Sequence, residues 1–158
     1  MTTPAPRRVH IDDQPGYHIR RLHQISVGVF LQELADLGIT PVQYAALQTV
    51  ANQPGTDQRS LARSIGLDAS TAGGVLDRLE QRGALERRTA PTDRRARQLW
   101  LTPAGERLLA EAVPAMLQAQ QQILAPLTER QRTEFMRLMR IVVDKNNALS
   151  RAPSDSGG

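Results

Sequence analysis

Apolar side chains along this chain recur mostly at three- and four-residue intervals, the spacing that lines one face of an α-helix. Between residues 19 and 34 the stripe runs through Ile19, Leu22, Val29 and Phe30, with His23 and Ser26 on it, until Gly38 ends the segment. Thr40-Pro41-Val42-Gln43 opens a second helix, because the threonine hydroxyl caps, proline suits the first helical position and Gln43 reaches back to the cap amide. That helix runs to about Ala51, where Asn52-Gln53-Pro54-Gly55 breaks it. Asp57 caps a short third helix with Leu61, Ala62 and Ile65 facing inward and Gly66 as its stop. Asp68 caps a fourth, whose buried face is Ala72, Val75, Leu76 and Leu79 and whose stop is Gly83.

The period then changes. Residues 85–88 and 98–101 read as two strands flanking the turn Ala90-Pro91-Thr92-Asp93, and Thr102-Pro103 repeats the threonine-proline helix start. The fifth helix, residues 103–125, contains Pro114, which removes one backbone donor and is expected to bend it. Pro126 ends it, and Thr128-Glu129-Arg130-Gln131 is another capping box, opening a sixth helix with Phe135, Leu138, Met139 and Val142 on one stripe.

The predicted fold class is therefore mainly α: six helices with a β-hairpin wing, a winged helix-turn-helix. The first, fifth and sixth helices exceed what such a unit needs for support. Burying their leftover stripes against a second copy predicts an intertwined two-fold homodimer. We divide one domain, residues 1–158, into a helical dimerisation region (15–40 and 103–148) and a helix-turn-helix lobe with its wing (41–102). The Pro-rich segment 1–14 and the small-residue segment 149–158 read as flexible tails.

Composition removes several functions. No run of about 18 apolar residues occurs and residues 1–14 lack the apolar core of a secretory signal, so a cytoplasmic protein with no membrane partner is expected. Without cysteine there is no disulfide, thiolate metal site or nucleophilic thiol. His10, His18 and His23 all precede the second helix, and His18 and His23 are five apart, off a shared helical face. No serine motif or phosphate-binding glycine loop stands in context, so the reading is of a non-enzyme with no metal and no cofactor.

Charge adds a function. Residues 78–97 hold seven arginines against three acids, a net +4 that equals the charge of the whole chain. Arginines packed this closely repel unless a polyanion lies alongside, so the segment predicts contact with double-stranded DNA. The turn Gly66-Leu67 joins the third and fourth helices in the arrangement that lets the second enter the major groove. Ser70 and Thr71 in the first turn of that helix suit phosphates or base edges, and free amides there favour an anion. Gly73 and Gly74 are costly in a helix interior, which fits either close approach to DNA or tight packing. Arg78 and Arg82 are placed to touch phosphates, with an ion pair to Asp93 or Asp77 as the other reading of Arg78. In the wing, Arg94, Arg95 and Arg97 are placed to enter a minor groove, Arg87 and Arg88 flank them, and Asp93 is a residue that orients the neighbouring guanidiniums.

The stretch STAGGVLDRLEQRGALERRTAPTDRRARQLWLTPAGERLL resembles the core of the MarR family of winged helix-turn-helix regulators, in order and spacing, with the six-helix layout covering about residues 15–148. The resemblance implies an obligate dimer on a pseudo-palindromic operator, Asp93 and Arg95 in the family's wing Asp-x-Arg positions, and control by a small molecule. Gly73-Gly74 departs from the polar residues often found there. The opening YHIRRLHQISVGVFLQEL looks most like members controlling aromatic-acid degradation, where a ligand carboxylate lies between the dimer helices and the DNA-binding lobe. On that resemblance Arg20 or Arg21 clamps the carboxylate, His18 or His23 accepts a ring hydroxyl, and Phe30 and Tyr44 line the pocket; the other reading is a surface arginine pair, a satisfied histidine and two core aromatics. By the same analogy the chain is a repressor, with an aryl-CoA thioester or another effector as the alternative ligand. A winged helix used only for protein contact is the remaining alternative, and a shallow salt dependence of binding distinguishes it.

Overall fold

The computed structural model describes residues 8–150 and 152–153. Most of the two segments expected to be flexible tails lies outside the described residues. Where the N-terminal one is described, Ile11–Asp13 form a 3-10 turn, and helix α1 begins at Pro15, before the apolar stripe starts.

Six helices and one hairpin follow in order: α1 (Pro15–Glu33), α2 (Pro41–Asn52), α3 (Gln58–Ser64), α4 (Ala69–Gln81), β1 (Leu85–Thr89), β2 (Arg97–Leu101), α5 (Pro103–Leu124) and α6 (Glu129–Asn146). The strands pair antiparallel from Leu85 opposite Leu101 to Thr89 opposite Arg97. The starts sit where local chemistry puts them. Thr40 and Gln43 exchange both bonds of a capping box, Thr128 and Gln131 do the same, and the side chains of Asp57, Asp68 and Thr102 accept from the amide three residues on. Helix α5 runs continuously through the exposed Pro114.

The interior forms two apolar clusters. The larger gathers Leu47 and Val50 of α2, Leu61 of α3, Leu76 and Leu79 of α4, and Leu85 and Leu99 of the hairpin. The smaller gathers Leu34, Ile39, Ala112 and Met116, where α5 packs on the end of α1 and the loop beyond it. Tyr44 and Leu108 pack against both.

Helix α6 leaves Leu138, Ile141, Val142 and Val143 between 45% and 58% exposed, and α1 leaves Ile19, Ile25 and Leu31 exposed. Among the described residues, no helix is long and apolar enough to cross a membrane.

Candidate nucleic-acid interface

Helix α4 begins with its own carboxylate. Asp68 accepts from the Thr71 amide at 2.9 Å and from the Thr71 hydroxyl at 2.6 Å, and these bonds hold the Asp68 carboxyl below its ordinary range. The expectation of free amides open to an anion is corrected at the Thr71 position, whose amide and hydroxyl both serve the cap. Ser70 is exposed beside it.

The two glycines of α4 differ. A β-carbon on Gly73 would come within 3.0 Å of the Gln58 side-chain nitrogen, which donates to the Ala69 carbonyl at 3.1 Å. Gly73 thus sits under the α3–α4 contact. A β-carbon on Gly74 would meet no atom of another element within 4 Å, and its surface is exposed.

The seven arginines of the basic segment fall into three groups. Arg87 joins the wing to the reading helix: its guanidinium pairs with Asp77 at 2.7 Å and with Glu80, and its backbone amide donates to Glu80 at 3.3 Å. Burial pulls the Arg87 guanidinium down and the two carboxylates outweigh it, so its pKa lies above the ordinary arginine value. Arg82 is spent on backbone, donating to the Leu37 carbonyl at 2.5 Å and the Gly38 carbonyl at 2.8 Å. Arg82, expected to touch phosphate, and Arg87, expected to flank the wing arginines, both have protein acceptors within hydrogen-bond reach.

Arg88 and Arg97 are braced but exposed. Arg88 pairs with Glu86 and lies over the Trp100 ring at 4.9 Å, while Arg97 donates to the Thr89 hydroxyl at 2.9 Å across the hairpin. The third group is Arg78, Arg94 and Arg95. All are exposed, and among the described residues their guanidiniums meet no acid, carbonyl or hydroxyl. Asp77 pairs with Arg87, and among the described residues Arg78 forms an ion pair with neither Asp77 nor Asp93.

Asp93 organises backbone. Its carboxylate accepts from the Arg95 amide at 2.9 Å and its carbonyl from the Ala96 amide at 3.1 Å, while Ala90 donates to the Ala96 carbonyl at 2.9 Å. The expected contact with neighbouring guanidiniums is replaced by a turn that places Arg94 and Arg95 at the tip of the wing.

Asp77, expected only as a partner of Arg78, serves Arg87 instead, and sequence reasoning missed Glu80 and Trp100. Their signals were present: two acids three apart on the reading helix, and the chain's one tryptophan in a strand opposite Glu86.

Wing and reading helix are positioned together as one surface: an exposed first turn on α4, three uncommitted guanidiniums, and an ion-paired strut between the two elements. The MarR family sequence model matches residues 39–96, which hold α2 to the wing tip. The putative transcriptional regulatory protein for the hcr operon of Thauera aromatica is 34% identical over 126 residues, spanning 79% of this chain and 76% of that protein. The chain belongs to the MarR family of transcriptional regulators. Among solved structures, Bordetella bronchiseptica BpsR, described with regulation of its DNA binding by 6-hydroxynicotinic acid, superposes with a TM-score of 0.83 at 30% identity, covering 87% of this chain and 99% of that one. The repressor CouR bound to a 23-mer DNA duplex gives a TM-score of 0.80 at 26% identity, covering 84% and 94%; CouR of Rhodococcus jostii has also been solved with p-coumaroyl-CoA.

Against this MarR background the predicted effector residues are dispersed. His18 donates to the Asp12 carbonyl at 2.7 Å, and Arg20 and Arg21 both donate to the Gln24 side-chain oxygen, at 3.2 and 3.1 Å. These three and His23 are exposed on α1. Phe30 and Tyr44 are half-buried against the smaller cluster. Tyr44 donates to Gln48 at 3.2 Å, and burial raises its hydroxyl pKa.

None of the six lines a cleft of about 450 Å³ between α2, β2 and α5. Its walls include Val50, Ala51, Trp100, Leu109 and Val113, with Gln48 and Glu106 as its polar groups. Tyr44 bonds to Gln48, which lines that cleft.

Proposed function

We infer that this MarR-family regulator is a homodimeric repressor that lays two α4 helices into successive major grooves of a pseudo-palindromic operator, about 34 Å apart, with the wings in the flanking minor grooves. The observation that carries the DNA-facing half is the uncommitted trio Arg78, Arg94 and Arg95, left without acids on a reading helix and wing tip whose other arginines are engaged. The exposed apolar stripes of α1 and α6 support the dimer, since a second copy buries them at no cost to the reading surface.

Release is assigned to a small aromatic carboxylate. The cleft beside the wing is of the size that takes a single aromatic ring and is mostly apolar, and BpsR is a relative regulated by 6-hydroxynicotinic acid. Within the described residues of one chain the cleft has a carboxylate, Glu106, and no cation, so the acid's charge needs a guanidinium from outside it; Arg20 and Arg21 of a second copy are the candidates. An aryl-CoA thioester is the second reading, supported by the CouR complex, with its coenzyme portion outside the cleft.

The test is a gel shift on the DNA upstream of the protein's own gene, repeated with aromatic acids and their CoA thioesters. Release by a free acid supports the first reading and release by a thioester alone the second. Tight binding that no compound alters removes aromatic control and leaves the DNA-binding assignment standing.

A further inference from the structure

The seam between the two apolar clusters is narrow, shared by Tyr44 and Leu108. One cation also crosses it. Arg82 is the C-terminal cap of α4, on the side of the larger cluster, and its two terminal nitrogens hold the carbonyls of Leu37 and Gly38, 45 and 44 residues earlier. Those carbonyls belong to the joint between α1 and α2, whose neighbours Leu34 and Ile39 are buried in the smaller cluster. The reading helix and the dimer-side layer are thus tied by charge-assisted bonds.

The chemistry favours this tie. Gly38 has φ 59° and ψ 35°, the left-handed conformation that ends the helical turn Ala35–Leu37 and leaves its last carbonyls without helical partners. A cation is favoured at such a terminus, and the planar guanidinium grips two acceptors in a fixed orientation, where an ammonium grips as a point.

The geometry points to Arg82 as a positioning residue: it fixes the angle between α4 and the α1–α2 joint, and so sets the half-site spacing that the protein accepts. This rests on the dimeric reading above and replaces the phosphate contact expected of Arg82 from sequence.

The test uses full-length protein and a site selected by the wild type from random DNA, remade with one base pair inserted or removed between half-sites. Wild type, Arg82→Met and Arg82→Lys are compared for affinity and salt dependence. We expect the wild type to lose about tenfold or more on each shifted site and Arg82→Met to lose less than about threefold, with Arg82→Lys between them. The salt slope stays at the wild-type value in both variants. Wild-type spacing preference in Arg82→Met overturns the assignment, as does a slope smaller by about 0.9, the mark of a lost phosphate contact. If Arg82→Met fails to fold by circular dichroism, Arg82→Lys is held to the same criteria. A wild type that sediments as a monomer on its selected site overturns the dimeric reading and this inference together, whereas a dimer with unchanged spacing preference in the variants overturns this inference alone.

Discussion

A β-carbon built on Gly105 would fall inside the van der Waals envelope of the Ala84 carbonyl oxygen. The first turn of α5 is laid directly on the backbone where α4 passes into the wing. Thr102 secures it, donating its hydroxyl to the Gly83 carbonyl at 2.5 Å and its amide to the Ala84 carbonyl at 3.2 Å. The obstacle at Gly105 is backbone, with no side chain to rotate away. Gly105→Ala is therefore expected to cost about 3 kcal/mol or more, at the upper end of overpacking, read as a lowered urea midpoint. A loss under about 1 kcal/mol would show that the α5–wing contact yields.

The sorting of arginines predicts which of them DNA feels. Substituting alanine at Arg78, Arg94 or Arg95 should weaken operator binding and reduce the magnitude of the log affinity against log salt slope by about 0.9 each. Arg87→Met should leave that slope unchanged, because its guanidinium already serves Asp77 and Glu80. Fluorescence anisotropy from about 50 to 200 mM salt measures both, and an equal drop in slope for Arg87→Met would refute the sorting.

Trp100 supplies an internal reporter, because it is the only tryptophan in the chain and a wall of the cleft. An effector seated there should change its emission with the same midpoint as operator release. Ala110→Phe, which fills the cleft from α5, should abolish both responses while operator affinity changes less than about threefold. Release that persists in Ala110→Phe places the effector elsewhere.

Arg21→Ala should leave operator affinity intact and blunt release, since Arg21 is exposed on α1 and among the described residues its side chain bonds to Gln24. An unchanged dose-response in this variant removes Arg21 from the effector site.

Asp57 gives a pH signature. Its carboxyl is held below the ordinary value mainly by the Ser60 amide, so the stabilisation is fully present above about pH 4 and is lost as pH falls through the lowered folded-state value. Asp57→Ala should cost about 1 kcal/mol at pH 7. Thermal melts from pH 7 down to about 3 should show the gap between variant and wild type closing at the acid end.

Much of this protein is legible without coordinates because its signals are local. The capping boxes Thr40–Gln43 and Thr128–Gln131 involve residues three apart, and the helical stripes need only the 3.6-residue period, so element order and the hairpin follow from neighbours in sequence. The fate of the seven arginines follows from distant residues. Arg87 meets carboxylates seven and ten positions back, Arg82 meets carbonyls 44 and 45 positions back, and Gly105 meets the Ala84 carbonyl.

Sequence by itself determined that a basic wing and reading helix exist, since net charge and hydrophobic period are sums over the chain. Only the tertiary structure decided which guanidiniums meet protein acceptors and which stay exposed without them among the described residues. A guanidinium takes whichever acceptor lies within about 3 Å, and that is a matter of packing.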